Sequence, residues 1–353
     1  MSVQTRELVS ARFIQFNRIL RQIVPYLIAV IAAFIAVGIF IGLMGFNVLK
    51  AYETIFFTSF RTANGFVQTL LKFVPLTLQA FAFTIPLATG KFNIGGDGQM
   101  IAGGIGAAAV GIMFSNLPAI ILLPMAIIAG VLAGALWGLI PAWLLYKFNI
   151  NEILTTVLLN FISYQLIDYI ASTVWKDPMA GHPTTVPIGA GADMPLLINN
   201  PPLHWGIILT LLVAVGAFVY TSRTSSGYEM IATVANPRAS KVFGINVKKM
   251  FMLSLVIAGA IAGLAGVIEV TGVQHVLIKD FQSNFRVLGS IIGLIARGSN
   301  AAVPFIAFFI AILEVGASAM QRTLGIPVEM VYIVEALILL FVLLSDKVKL
   351  RRR

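Results

Sequence analysis

Long apolar runs recur down this chain between short polar interruptions, and they leave few ways for it to fold. A bilayer core about 30 Å thick takes about 20 apolar residues of helix to cross, and a spanning helix satisfies its own backbone there. Such runs occupy 23–48, 70–89, 119–146, 153–171 and 250–270, with shorter ones at 100–114, 205–220, 287–296, 303–319 and 328–344. The predicted fold class is an all-α polytopic membrane protein of about ten transmembrane helices. The eighth run is too short to cross as an ordinary helix, which predicts a bent or broken element.

Composition agrees. Of 353 residues, 59% are hydrophobic and 11% charged, where soluble domains carry about 25% charged residues. The absence of cysteine excludes disulfides, thiol catalysis and thiolate metal clusters. The net charge of +10 does not point to nucleic acid, because the basic residues lie mainly in loops and tails.

That distribution gives an orientation. The segment 1–22 carries Arg6, Arg12, Arg18 and Arg21 and enters an apolar run too long for a cleavable signal. Placing it inside also puts Lys91, Lys147, Arg223, Arg238, Lys241, Arg297 and the basic tail 345–353 inside, as the positive-inside bias requires. Both termini are therefore expected in the cytosol, around a membrane body at 23–344 with a cytosolic loop at 222–249. The longest outer segment, 172–204, is rich in Pro and Gly and bracketed by Trp175 and Trp205. It reads either as a surface loop or as a landing surface for an external partner. A second outer segment, 49–68, carries Lys50, Glu53 and Arg61 among aromatic residues and suits an interfacial helix. Spans two to five against seven to ten admit an inverted repeat. Gly130, Gly134 and Gly138, with Gly259, Gly263 and Gly266, predict close helix packing.

The chain lacks a phosphate-cradling loop with its lysine, and it lacks a nucleophile elbow. His182, His204 and His275 stand far apart without metal-ligand spacing, so no metal is expected. Polarity inside the membrane is what remains. The stretch 90–100 holds four glycines with Asn93, Asp97 and Gln99 between two apolar runs. It reads either as a cytosolic turn or as non-helical backbone at membrane depth, buried in protein or lining a wet cavity. In the fifth run Glu152, Thr156, Asn160, Tyr164 and Asp168 recur every four residues, one polar stripe on an apolar helix. The stripe serves a solute pathway or hydrogen bonds between helices. Glu269, Glu314 and Glu335 lie in or near apolar runs, with no Arg or Lys at mid-span as an evident partner. Glu269 is a candidate solute contact, and all three would be relay groups in an ion-coupled transporter.

Between two apolar spans, 227–245 predicts a free-standing cytosolic helix of about two turns. Asn236 suits its N-cap, Pro237 its first position and Gly244 a left-handed stop. Arg238, Ala239, Ser240, Lys241, Val242 and Phe243 lie between them, a handle for a soluble partner.

Three stretches carry a family likeness: Phe92-Asn-Ile-Gly-Gly-Asp-Gly-Gln-Met100, Asn151-Glu-Ile-Leu-Thr-Thr-Val-Leu-Leu-Asn160, and Gly227-Tyr-Glu-Met230 with Asn236-Pro-Arg-Ala239, Phe243-Gly-Ile245 and Ala258-Gly-Ala-Ile-Ala-Gly-Leu-Ala-Gly266. Together they resemble the permeases of ATP-binding cassette (ABC) importers for branched-chain amino acids, simple sugars and nucleosides. The nucleoside branch is the most similar, although Asp97 stands where Glu is more usual, and Glu314 and Glu335 where that branch is apolar or neutral. The resemblance implies a type II importer-like fold in a bacterial cytoplasmic membrane. It also implies a second permease subunit, identical or different, two cytosolic ATPases and an extracytoplasmic solute-binding lipoprotein. The chain itself would hold no cofactor, since ATP and Mg would sit in the ATPase, and it would not be an enzyme. Residues 236–244 would be the coupling helix seated in the ATPase. Asn93, Asp97, Gln99, Thr156, Asn160, Tyr164 and Glu269 would line the path of a nucleoside, a sugar, riboflavin or another small polar solute.

Overall fold

The computed structural model describes Ile28 and residues 30–350. The expected basic segment 1–22, the start of the first span and residues 351–353 lie outside the described residues. Two compact bodies form, one from the two ends of the chain and one from Ser59–Val315.

In the body made from the ends, α1 (Val30–Leu43) packs on α2 (Val48–Arg61). Phe34 meets the rings of Tyr52 and Phe56, and the Tyr52 hydroxyl donates to the Phe34 carbonyl. Gly316 abuts the backbone of Ile55, an approach that a side chain would block. The helix α13 (Glu329–Leu350) also belongs here.

The second body is built around α10 (Val247–Glu269). This helix packs on α3 (Ala63–Leu87), α4 (Gly96–Met113) and α5 (Ala119–Phe148). The expected glycine packing is the reason it can. A Cβ on Gly263 would stand 2.8 Å from the Gly130 carbonyl and 2.9 Å from the Gly134 Cα. One on Gly138 would stand 2.6 Å from the Leu255 carbonyl. With apolar lipid as the alternative solvent, contact between bare backbones supplies the attraction that hydrophobic burial does not. Around this seam lie α6 (Glu152–Tyr169), α7 (Gly206–Arg223), α8 (Ser225–Ala235), α9 (Pro237–Val242), α11 (Phe285–Ile295) and the first turns of α12 (Val303–Leu324).

Among the described residues six helices are long and apolar enough to cross a membrane: α3, α5, α6 with its extension to Val174, α7, α10 with its extension to Gln274, and α12. The other expected spans are shorter or start in polar sequence. The eighth is α11, eleven residues ending at Ile295 and followed by Arg297 and Gly298, both left-handed. The helix α4 opens on Gly96, Asp97, Gly98 and Gln99 rather than on apolar residues.

The segment expected as a long outer loop is folded into a cap. It contains a hairpin of β1 (Leu196–Asn199) and β2 (Pro202–His204). Its backbone bonds to the residues that follow α10. Thr185 N donates to the Leu277 carbonyl at 3.0 Å, Ile188 N to that of His275 at 3.0 Å, and Met194 N to that of Thr271 at 2.8 Å. Ile188, Ala192 and Met194 are buried beneath it.

Candidate functional site

The stretch between α3 and α4 is a break rather than a turn on the surface. From Ala88 to Gly95 the backbone is non-helical, with Gly90 left-handed, yet Asn93 and every residue from Gly95 to Met100 are buried. Buried backbone without a helix must find partners elsewhere, and side chains provide them. Asn160 Oδ1 accepts from Gly98 N at 2.9 Å while its Nδ2 donates to the Ile94 carbonyl at 2.7 Å. Gln79 Nε2 donates to the Gly96 carbonyl at 3.1 Å. Asn93 Oδ1 accepts from Gly95 N at 3.1 Å, and Asn93 and Gln99 exchange two amide hydrogen bonds at 2.8 and 3.1 Å. The glycines leave room for this. A Cβ on Gly98 would stand 2.6 Å from Trp137 Nε1 and 3.0 Å from Asn160 Oδ1.

Four members of the polar stripe on α6, Glu152, Thr156, Asn160 and Tyr164, meet the break or the first turn of α4. Glu152 pairs with Lys91 at 3.2 Å. Thr156 bonds back to the Glu152 carbonyl at 2.7 Å and sits against Gly95. Asn160 staples the break. Tyr164 donates to Asp97 Oδ2 at 2.6 Å, and Asp168 pairs with Lys279 at 3.3 Å. Four of the five thus bond to other elements, while Thr156 bonds within its own helix.

Arg286 joins the site without a local sequence signal: it lies in the first turn of α11, with Nε 2.7 Å from Asp97 Oδ2. Asp97 therefore holds an arginine and a tyrosine on one oxygen, while its Oδ1 is buried and accepts no hydrogen bond. The neighbouring Phe285 carries the Lys72 ammonium 5.0 Å above its ring. Asp97 thus has a basic partner in Arg286 on α11. The 189 residues between Asp97 and Arg286 in the chain leave no local sequence signal for the pair. Glu269 is buried at the end of α10, away from the Asn93–Gln99–Asn160 network.

The histidines also differ from their spacing. His204 and His275 come close enough for charge on one to be felt at the other, and His275 Nδ1 lies 2.7 Å from Asp193 Oδ1. Burial, aided by His275, pushes His204 down to about 4.

At the other end of this body α9 has the expected caps. Asn236 Oδ1 accepts from Arg238 N at 3.1 Å and Ala239 N at 3.0 Å, Pro237 takes the first position, and Gly244 is left-handed at φ 83°. A separate helix, α8, precedes it, and Ser240 ties the two together by donating to the Ala232 carbonyl at 2.9 Å. Val242 and Phe243, each 85% exposed, form an apolar tip beyond exposed Arg238 and Lys241.

Six helices long and apolar enough to cross a membrane, packed around a broken one, are the architecture of a multi-pass membrane protein. The chain belongs to the family described as branched-chain amino acid transport system / permease component, whose pattern matches residues 65–343. It is 32% identical to the guanosine ABC transporter permease protein NupP of Bacillus subtilis, over 94% of this chain and 96% of that one. It is 30% identical to the nucleoside ABC transporter permease protein NupB of Lactococcus lactis, over 92% of each. It is 29% identical to the glucose ABC transporter permease protein TsgB13 of Haloferax volcanii, over 90% of this chain and 86% of that one. No solved structure matches the chain.

Proposed function

We propose that this chain is the permease subunit of an ATP-driven importer of nucleosides in a bacterial cytoplasmic membrane, with both termini cytosolic. The observation that carries the solute class is its likeness, over nearly the full length, to permeases named for nucleosides and guanosine. A sugar is the second reading, favoured by the similar glucose permease. The chain catalyses nothing and holds no cofactor. ATP and Mg belong to partner ATPases, and a solute-binding lipoprotein delivers cargo to the cap at 172–204 and to 49–68. A second permease subunit completes the path.

In this reading ATP-driven closure of the ATPases moves α9, gripped at Arg238, Lys241 and the Val242–Phe243 tip, and the bundle shifts between two packed states. Asn93, Gln99 and Asn160 shape the path by holding the break open, with Thr156 against it. Asp97, Tyr164 and Arg286 present charge and hydroxyl to a polar solute, and Asp97 Oδ1 supplies an acceptor with no other use. Glu269 lies further along the same bundle.

The test is uptake of labelled guanosine into proteoliposomes holding the assembled complex. ATP-dependent uptake that stops without the ATPase is expected; uptake that persists without ATP sinks the proposal. An ionophore addresses the ion-coupled alternative, in which Glu269, Glu314 and Glu335 would relay cations, because collapse of the gradient would abolish uptake only there. Arg238→Glu with Lys241→Glu should leave the subunit inserted while ATP hydrolysis no longer drives uptake.

A further inference from the structure

The face formed by α4, α5 and α6 carries an apolar groove of about 740 Å³ with no charged side chain in its lining. Small residues make its floor, Gly106 and Ala109 on α4 against Ala133 on α5, and Trp137, Ile140 and Trp143 rise as its wall. From Ala133 to Trp143 the wall runs ten residues of helix, about 15 Å, which is half of a hydrocarbon core about 30 Å thick. One leaflet is therefore the length of the groove.

Its end nearest α9 is marked by charge. Trp143 carries the Lys147 ammonium 5.2 Å above its ring, and Phe148 shares it at 5.4 Å. Beside them Lys248 donates to the Tyr146 carbonyl at 3.2 Å and stands 5.7 Å over the Tyr146 ring. Among the described residues neither lysine has a carboxylate partner. Aromatic rings and unpaired lysines at a helix end are the chemistry of a membrane interface that attracts anionic headgroups.

We propose that this groove binds an anionic phospholipid from the leaflet on the α9 side, with one acyl tail along α4 and α5 and the phosphate between Lys147 and Lys248. Neutral lipid fills the groove equally well by shape, so the lysines supply the selection. An apolar face covered by the second permease is the competing occupant.

The two are separated by fluorescence of the assembled complex carrying Trp143 as its sole tryptophan. It is reconstituted in phosphatidylcholine vesicles with a minor fraction of brominated phosphatidylglycerol or, in parallel, brominated phosphatidylcholine. The charged lipid should quench Trp143 about twofold more strongly at equal fraction. Lys147→Glu with Lys248→Glu should erase the difference, Lys147→Arg should keep it, and Ala109→Phe should weaken quenching by both lipids. Equal quenching in the parent, or a preference that survives the glutamate pair, overturns the proposal. So does quenching by neither lipid, which would mean protein covers the groove. Native mass spectrometry of the complex with all four tryptophans gives an independent reading: retained phosphatidylglycerol that the glutamate pair loses supports the site, and its absence from the parent overturns it.

Discussion

The glycine seam of α4, α5 and α10 and the break at the start of α4 lie in one body yet close their backbones by opposite means. Along the seam every backbone group is satisfied within its own helix, and the helices touch because nothing stands between them. At the break the helix is given up, and Asn160, Gln79 and Asn93 replace its missing hydrogen bonds one by one. The seam resists added volume. The break resists loss of a particular polar atom. A volume change should therefore hurt the first and an isosteric change the second.

The largest effect should follow Gly263→Leu, which drives a side chain into the Gly130 and Gly134 backbones. Overpacking costs about 3 kcal/mol in ordinary cores, and here rigid backbone cannot yield. Loss of folded, extractable subunit is expected, and wild-type yield and melting temperature would break the comparison. Asp97→Leu comes next. It leaves Arg286 and Tyr164 without their acceptor, a loss of about 3 kcal/mol for a broken buried pair, whereas Asp97→Leu with Arg286→Met should recover stability but not uptake. Asn160→Leu removes two bonds from the broken backbone at about 1 kcal/mol or more each. Asn160→Asp keeps the acceptor for Gly98 N and loses the donor to Ile94, so it should fall between wild type and leucine in thermal unfolding. Equal stability for all three would show that the break does not depend on its staple.

The smallest effect lies outside both regions, at His204. Its folded value of about 4 is below the ordinary 6.5, so folding favours the neutral ring. That contribution is complete above pH 6.5 and is lost as pH falls through about 4. Hydrogen exchange in the cap should quicken over this window, and His204→Gln should flatten the dependence. An identical slope in both proteins would remove His204 from the account.

Legibility in the sequence followed the range of each interaction. The caps of α9 could be read from Asn236, Pro237 and Gly244 because capping acts within a few residues. The glycine packing could be read from spacing on one helix, though not which helices would meet. Four-residue spacing placed the stripe of α6 on one face, but not its partners. Arg286 reaches Asp97 across 189 residues. A basic residue bordering an apolar run reads first as an outer charge, and only the short, half-length α11 brings Arg286 into the bundle. The cap was legible as a long Pro- and Gly-containing segment, but its hydrogen bonds to the residues after α10 were not, since extended backbone pairing leaves no side-chain pattern.

Those cap bonds tie the hairpin-containing segment to the residues that follow α10, the most heavily packed helix. The helical extension of α10 runs to Gln274 and the chain turns at left-handed His275, and Thr185, Ile188 and Met194 are fastened along 271–277 through their main chains. The cap is therefore moored by main-chain bonds rather than by side chains, so a substitution along either segment leaves the mooring groups themselves in place.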